Sequence, residues 1–227
     1  MNLVVFDVDG TLVASVGVDE TCFVQSFADV FDIHEVETNW LEYQHQTDSG
    51  LTFEILDKHR HREPTAKDVG LLKNRFFAIL SDAIEVAGIT SIPGASQALA
   101  SLSSDPHWCI AIATGGWSKA ARLKLSSAGL HVESLPFASA DDSFDRSVIV
   151  RKAVQLAKQR CGTEEFTNIT YVGDGVWDAR SAKELGIAFV GVGNQDRQAE
   201  LLAEGASTVV PDLRDIVSVL QCFQGVE

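Results

Sequence analysis

Residues 3–11 read Leu-Val-Val-Phe-Asp-Val-Asp-Gly-Thr, and this stretch decides the fold class. Residues 3–8 form a short, mostly apolar and β-branched run in which hydrophobic and polar residues do not alternate. Such a run is typical of a strand that is buried on both faces. Asp9, Gly10 and Thr11 then bring turn chemistry. The stretch therefore predicts a fully buried strand with carboxylates at its end.

Further short apolar runs alternate with helical patterns along the rest of the chain. The predicted strands are residues 109–113, 169–172, 187–192 and 207–210, and the predicted helices are residues 95–102, 118–128, 147–160, 178–185 and 195–204. This alternation is typical of βαβ units. The sequence therefore predicts an α/β fold, a doubly wound, Rossmann-like parallel sheet with helices on both faces.

Residues 15–88 interrupt this alternation. They contain four helical patterns and no convincing buried strand, and Pro93-Gly94 marks the return of the alternation. The predicted helices of this segment are residues 19–31, 40–46, 51–59 and 68–87. We therefore expect a core domain of residues 1–14 and 89–227, with an inserted helical domain of residues 15–88.

Composition limits the partners and the location of the chain. Its 227 residues include 32 acidic and 18 basic side chains, a formal net charge of −14, so nucleic-acid binding is not expected. No apolar stretch reaches the length of a membrane span, and no signal peptide is predicted. The four cysteines are scattered and are interpreted as reduced thiols of a cytoplasmic protein. The oligomeric state is left open.

Polar residues and glycines lie at four expected strand ends, where ligands bind in open parallel sheets. They are residues 7–11, 114–116, 140–142 and 173–178. Three of these segments bring carboxylates to one edge, where like charges repel. Mg²⁺ would remove this conflict, because it suits protein carboxylates together with substrate phosphate and water.

The segment Asp-x-Asp-Gly-Thr at residues 7–11 resembles the signature of the haloacid dehalogenase-like hydrolases. Thr114 and the pair Asp174 and Asp178 follow in the order of that family's other motifs. The resemblance covers essentially the whole chain, and the layout is similar to phosphoglycolate phosphatases with a helical cap. It implies a Mg²⁺-dependent phosphatase that acts on a small phosphorylated metabolite.

The resemblance also assigns the acidic residues. It implies that Asp7 is the nucleophile that forms an aspartyl-phosphate. Asp9 would be the general acid for the leaving oxygen and then the general base for water, and its backbone carbonyl would bind the metal. The implied metal set is Asp7, Asp9, Asp174 and Asp178, with Asp174 coordinating directly. Asp178 would act through water or by holding a ligand in place.

Two loops are expected to hold the phosphoryl group. Gly10 and Thr11 are expected to shape a loop whose backbone N–H groups approach phosphate. The Thr114 hydroxyl is expected to bind a phosphate oxygen, while Gly115 and Gly116 leave amides uncovered beside a helix N-terminus. A plain turn with a helix cap is the alternative for this second loop.

The family's usual Lys-Pro cation is missing from residues 141–147. Arg146 lies closest to the expected place. It is therefore predicted to offset charge on the nucleophile and on the phosphoryl group. Lys119, Lys124 and Lys152 are the alternatives.

The inserted helices resemble a cap that closes over the site and reads the leaving group. Thr47, Asp48 and Ser49 lie between two predicted helices and are candidates for substrate contact. Asp48 or Ser49 could equally be the N-cap of the helix that follows. Asp19 is interpreted as a helix cap and not as a ligand.

Two other activities and one non-catalytic role compete with a phosphatase. A phosphomutase would return the phosphoryl group to the substrate. An enzyme similar to phosphonoacetaldehyde hydrolase would need a cap lysine for a Schiff base, and the insert offers Lys58, Lys67 and Lys73. A non-catalytic binding protein would be expected to have lost the nucleophile or the metal ligands. The sequence leaves the substrate open.

Overall fold

The computed structural model describes residues 1–60 and 62–222, and within them one parallel sheet forms the centre of the fold. The strand order is β3-β2-β1-β4-β5-β6, and all neighbouring strands are parallel. The strands are β1 Asn2–Phe6, β2 Trp108–Ala113, β3 Phe137–Ala138, β4 Ile169–Gly173, β5 Ala188–Val192 and β6 Thr208–Val210. The predicted α/β parallel sheet is confirmed.

Helices cover both faces of this sheet. Alternate side chains of β1 therefore point into two different apolar clusters, one on each face. Val4 and Phe6 belong to one apolar cluster, and Leu3 and Val5 belong to the other. Among the described residues, no helix combines the length and the apolar character that a membrane crossing requires. The helices are α1 Val16–Phe31, α2 Asp48–Arg60, α3 Ala66–Ala87, α4 Ala95–Ser104, α5 Ser118–Ser127, α6 Arg146–Cys161, α7 Val176–Leu185, α8 Gln195–Ala203 and α9 Ile216–Cys222.

Strand β1 lies at the place where the strand order reverses. Leu3 pairs with Cys109 of β2 on one side and with Ile169 of β4 on the other. The connections that leave β1 and β4 therefore run to opposite sides and open a crevice at the carboxyl end of the sheet. This crevice is where the acidic segment after β1 is placed.

Helices α1 to α3 form the insert between β1 and α4. The two segments that enter and leave it pair with each other, since the Ala14 N–H donates to the Thr90 oxygen (2.9 Å) and the Ile92 N–H donates to the Leu12 oxygen (2.9 Å). Phe23 of α1 also lies near Trp117, with ring centroids 5.9 Å apart. The insert thus packs on the core, while the predicted domain boundaries stay a prediction.

One predicted helix of the insert is wrong. Residues 40–46 form only a single 3₁₀ turn, Trp40–Glu42. The N–H groups of Gln44 and His45 each donate to the Glu54 carboxylate (2.9 Å), which replaces the helical hydrogen bonds of this segment. No range was predicted for strand β3, although a strand end was expected at residues 140–142, and helix α9 was not predicted, because such short elements carry little periodicity.

The expectation that all cysteines are reduced thiols is wrong for one pair. Cys109 of β2 and Cys161 of α6 form a disulfide, with Cα atoms 6.6 Å apart and a sequence separation of 52. Helix α6 packs on β2, which brings the two together. Cys22 and Cys222 are free thiols. No sequence spacing signals this bond, because it depends on the packing of two elements distant in the chain.

Candidate active site

A cavity of about 120 Å³ lies between the carboxyl end of the sheet and the insert. Most of the residues predicted to act on a substrate line it. They are Asp7, Asp9, Thr114, Gly115, Gly116, Arg146 and Asp174 from the core, and Thr47 and Asp48 from the insert. The topology thus brings strand ends that are far apart in the sequence to one place.

Asp7 is held at the edge of the sheet by its backbone. Its N–H donates to the Val172 oxygen of β4 (2.9 Å), so the pairing of β1 with β4 continues into the first acidic residue. The Asp7 side chain is buried. Carboxylate oxygens of Asp7, Asp174 and Asp178 lie within 4.8 Å of one another. The structure therefore gathers three of the four predicted metal ligands through their side chains.

These crowded carboxylates have perturbed pKa values. Burial, followed by the charge of Asp178, raises the pKa of Asp7 well above its ordinary value, and Arg146 opposes this rise. The same two causes raise the pKa of Asp174 to about 7. A divalent cation with oxygen ligands would relieve this repulsion. The donor set therefore fits Mg²⁺.

Arg146 lies beside the predicted nucleophile. Its Nη1 donates to Asp7 Oδ1 (3.1 Å), to Asp178 Oδ1 (2.6 Å) and to the Tyr171 hydroxyl (3.3 Å). Arg146 begins α6, where the Asp145 carboxylate caps the helix by accepting from the Ser147 N–H (2.7 Å). This cap sets the start of the helix and thereby the position of Arg146.

Two of the alternative cations lie elsewhere. Lys119 sits over the ring of Phe77, with Nζ 3.6 Å from the centroid. Lys152 pairs with Asp142 (2.6 Å). Neither contacts Asp7, so the geometry favours Arg146 as the cation at the nucleophile.

Asp178 is fully buried and its oxygens are engaged by the protein. Oδ1 accepts from Arg146 and from the Tyr171 hydroxyl (2.7 Å), and Oδ2 accepts from the Gly175 N–H (3.0 Å). Such contacts hold neighbouring groups in place. They show that Asp178 holds Arg146, whereas the predicted action through water or on a metal ligand stays a prediction.

Two glycines leave space for neighbouring side chains in the site, because they carry no Cβ. Gly10 has φ of 77°, and a Cβ there would collide with the Asp174 carboxylate. A Cβ on Gly115 would collide with the Arg146 guanidinium. The N–H groups of Gly10 and Thr11 donate within their own loop, and the buried Thr11 hydroxyl has no partner among the described residues. Loop shaping is therefore what the structure shows for Gly10 and Thr11.

Of the two amides after β2 that were expected to be uncovered, only that of Gly115 has no acceptor among the described residues. The Gly116 N–H donates to Thr114 Oγ1 (3.0 Å), and the Trp117 N–H donates to Asp48 Oδ2 (2.8 Å). The Ser118 N–H donates to Asp141 Oδ2 (2.8 Å). Two acidic side chains, one of them from the insert, therefore occupy the N-terminus of α5.

Thr47, Asp48 and Ser49 do not form a loop between two helices, because α2 begins at Asp48. Thr47 Oγ1 accepts from the Gly50 N–H (3.2 Å), so Thr47 takes the capping position that was expected for Asp48 or Ser49. The Thr47 hydroxyl also donates to the Phe144 oxygen (2.8 Å).

Asp48 and Ser49 fasten the insert to the loop after β2. The Asp48 N–H donates to the Gly115 oxygen (2.8 Å), and the indole N–H of Trp117 donates to Ser49 Oγ (2.7 Å). Asp48 lines the cavity, whereas Ser49 does not. The structure thus shows Ser49 as a contact between insert and core.

The Asp9 carboxylate pairs with a buried lysine. Lys124 of α5 is fully buried, and its Nζ lies 2.6 Å from Asp9 Oδ1 and 2.5 Å from Asp19 Oδ1. Burial alone would lower the pKa of Lys124, but the carboxylates of Asp19 and Asp9 raise it above its ordinary value. Asp19 is therefore an ion-pair partner, and the interpretation of it as a helix cap is wrong because α1 has Ser15 at its N-cap position.

A signal for Lys124 was present in the sequence. It lies on the face of α5 that also carries buried Ala120, Ala121 and Leu125. A charged residue at this helical spacing among apolar residues requires a buried partner.

Other residues that line the cavity were not predicted from the sequence. Arg197 of α8, which follows the last predicted motif in the sequence, lines the cavity. Burial and the charge of Asp178 raise the pKa of Asp174, and the charge of Arg197 opposes this rise. Phe23 and Trp40 form an aromatic wall, and the Trp40 indole donates to Glu20 (3.0 Å). No local pattern indicates these residues, because helix packing alone brings them to the site.

Comparison with solved structures finds the same fold in other proteins. Similar solved structures include a hydrolase from Pseudomonas syringae (22% identity, 97% of this chain and 98% of that chain, TM-score 0.73). A candidate β-phosphoglucomutase from Bacteroides vulgatus (16%, 99% and 89%, TM-score 0.70) and a predicted phosphoglycolate phosphatase from Haemophilus somnus (19%, 96% and 97%, TM-score 0.63) are also similar. At these identities the likeness shows the fold.

No curated protein matches the sequence. The family model described as haloacid dehalogenase-like hydrolase matches residues 1–186. Since this match covers most of the chain, the protein belongs to the haloacid dehalogenase-like hydrolases.

Proposed function

We propose that this hydrolase is a Mg²⁺-dependent phosphatase that acts on a small phosphorylated metabolite through an aspartyl-phosphate on Asp7. One observation carries the proposal. The carboxylates of Asp7, Asp174 and Asp178 converge within 4.8 Å, with Arg146 donating to Asp7. A nucleophile, oxygen ligands for a cation and a fixed positive charge thus meet beside one cavity.

The chemistry follows from this arrangement. An Asp7 oxygen attacks phosphorus, and the bond from phosphorus to the leaving oxygen breaks while Asp9 supplies a proton to that oxygen. Asp9 then takes a proton from water as the water attacks the aspartyl-phosphate, which releases phosphate and restores Asp7. Arg146 offsets charge at Asp7 and on the phosphoryl oxygens. Mg²⁺ held by Asp7, Asp9 and Asp174 would add charge neutralisation and orientation.

The cavity supports a small substrate. Its volume of about 120 Å³ lies between the core and the insert. The contact from the Asp48 N–H to the Gly115 oxygen closes the insert over the core beside this cavity. Exclusion of water would protect the aspartyl-phosphate until the hydrolytic water is in place. The absence of nucleic-acid and membrane partners and the cytoplasmic location stay predictions.

The Schiff-base alternative lacks support in the geometry. Among the described residues that line the cavity there is no lysine. Lys73 of the insert pairs with Asp141 (2.5 Å) and lies over the ring of Trp117. A phosphomutase shares the residues of the first step and is separated from a phosphatase by the fate of the phosphoryl group.

Phosphate release tests the proposal. We expect Mg²⁺-dependent release of phosphate from 4-nitrophenyl phosphate and from at least one member of a panel of small phosphorylated metabolites. Release should stop with EDTA and return with added Mg²⁺. Asp7→Asn should abolish release, whereas Asp215→Asn, a change at an exposed aspartate outside the cavity, should not.

Unchanged turnover in Asp7→Asn would remove the covalent mechanism, and equal turnover with and without EDTA would remove the metal. A mutase would instead convert a sugar phosphate to its isomer without releasing phosphate, once a sugar bisphosphate has phosphorylated the enzyme.

A further inference from the structure

We propose that Lys124 is a positioning residue for Asp9, assisted by Asp19 of the insert. The inference rests on the proposed function, because it concerns the group that carries the proton in that mechanism. Neither Lys124 nor Asp19 belongs to the motifs from which the acidic site was predicted.

The geometry divides the two oxygens of Asp9 between two tasks. Oδ1 lies 2.6 Å from Lys124 Nζ and also accepts from the Ser15 hydroxyl. Oδ2 faces the loop after β2 and lies 3.5 Å from where a Cβ of Gly116 would be. Among the described residues, none donates a hydrogen bond to Oδ2. One oxygen is therefore anchored while the other remains available to a substrate oxygen or to water.

Such an anchor matters because the last torsion of an aspartate is broad and has no single sharp minimum. Without a partner at Oδ1, the carboxylate would rotate and Oδ2 would leave the position in which it can transfer a proton. A displacement of about 1 Å in a catalytic group can cost on the order of 100-fold in rate. Lys124 is the charged one of the two partners at Oδ1, and together with the Ser15 hydroxyl it confines that rotation.

Asp19 completes the arrangement from the other side. A fully buried ammonium is costly unless it is paired. The Asp19 carboxylate, 2.5 Å from Nζ, supplies a second anion and holds the ammonium between α1 and the loop after β1. Because Asp19 lies in the insert and Lys124 lies in the core, the position of Asp9 depends on contact between the two.

The leaving group of the substrate provides the test. Ethyl phosphate needs a proton on its leaving oxygen, whereas 4-nitrophenol is acidic enough to leave without one. Because kcat/KM reports the steps up to the first irreversible one, it isolates phosphoryl transfer to Asp7 from the later hydrolysis. For Lys124→Met we expect kcat/KM to fall on the order of 100-fold with ethyl phosphate and by less than about threefold with 4-nitrophenyl phosphate.

Further variants separate this role from a structural one. Asp9→Asn should show the same dependence on the leaving group, and the double variant with Lys124→Met should lose little more than Asp9→Asn alone. Asp19→Asn keeps the side-chain shape and should lose more kcat/KM with ethyl phosphate than with 4-nitrophenyl phosphate. This variant provides the test if Lys124→Met fails to fold. Lys152→Met, at an exposed lysine outside the cavity, should match the wild type.

The outcomes are distinct. Equal losses on both substrates in Lys124→Met and in Asp19→Asn, or no loss in either variant, would overturn the inference while leaving the phosphatase intact. A wild-type protein that releases no phosphate from either substrate with Mg²⁺ would overturn the proposed function and the inference with it.

Discussion

The guanidinium of Arg146 occupies the space in which a side chain at position 115 would lie, so only glycine fits there without a collision. We expect Gly115→Ala to displace Arg146 and to lower kcat on the order of 100-fold, since a shift of about 1 Å in a catalytic group has that effect. Gly70→Ala is the control, because a Cβ at Gly70 in α3 meets nothing within 4 Å. Phosphate-release assays on both folded variants measure the difference, and equal activities would contradict the close packing.

Arg146 supplies the positive charge that lies beside the Asp7 carboxylate. Arg146→Ala removes the donor to Asp7 Oδ1 and leaves Asp178 without its cation. We expect kcat to fall about 10²- to 10³-fold, as for the loss of one preorganised donor at a reacting oxygen. Arg151→Ala, at an exposed position of the same helix, is the control. Normal turnover of Arg146→Ala would transfer the role to another cation.

Among the elements, α3 has a complete N-terminal cap. Thr65 Oγ1 accepts from the Asp68 N–H (3.3 Å), and the Asp68 carboxylate accepts from the Thr65 N–H (2.9 Å). Arg62 also donates to this carboxylate (2.9 Å). Such a capping box predicts the start of a helix from the sequence, and here it follows Pro64 directly.

We expect Asp68→Ala to lower the free energy of unfolding by about 1 kcal/mol, the usual effect of losing an N-terminal cap. Hydrogen bonds from Arg62 and Thr65 hold the pKa of Asp68 below its ordinary value. A lowered pKa in the folded state stabilises the protein above the unfolded pKa of about 4, and the effect is lost as the pH falls. The difference from the wild type should therefore shrink in acid.

Urea unfolding at neutral pH and at acidic pH measures this difference. Asp82→Ala, an exposed aspartate later in α3, is the matched control and should unfold like the wild type. A difference between Asp68→Ala and the wild type that grows in acid would contradict the direction of the pKa shift.

Across the whole molecule, the disulfide between Cys109 and Cys161 joins β2 to α6. The loop that it closes carries Thr114, which lines the cavity, and reaches Arg146 at the start of α6. A covalent bond here restricts the unfolded chain between two parts of the site. The model of chain entropy gives about 4 kcal/mol for a loop of this length.

We expect reduction of the disulfide to lower the free energy of unfolding by about 4 kcal/mol. Titration of thiols in the unfolded, unreduced protein should detect only Cys22 and Cys222. Cys222→Ser is the control and should keep the sensitivity to reductant. Detection of four thiols, or unfolding that does not change with reductant, would show that the bond is not formed.

Much of the fold follows from local patterns. The buried strand before Asp7, the alternation of strands and helices and the long helices of the insert all depend on residues that are neighbours in the chain. Errors arose where a side chain other than the expected one accepts the backbone hydrogen bonds. Glu54 takes the amides of Gln44 and His45 and prevents a predicted helix, and Thr47 replaces Asp48 as the N-cap of α2.

By itself, the sequence determined the α/β sheet, the family and the acidic residues at the strand ends, because periodicity, turn chemistry and motif spacing lie in short segments. Only the tertiary structure decided which cation meets which carboxylate. Lys124 and Asp19 are 105 residues apart, and Cys109 and Cys161 are 52 apart. Such pairs form because helices pack against a sheet and against each other, and no local segment encodes that contact.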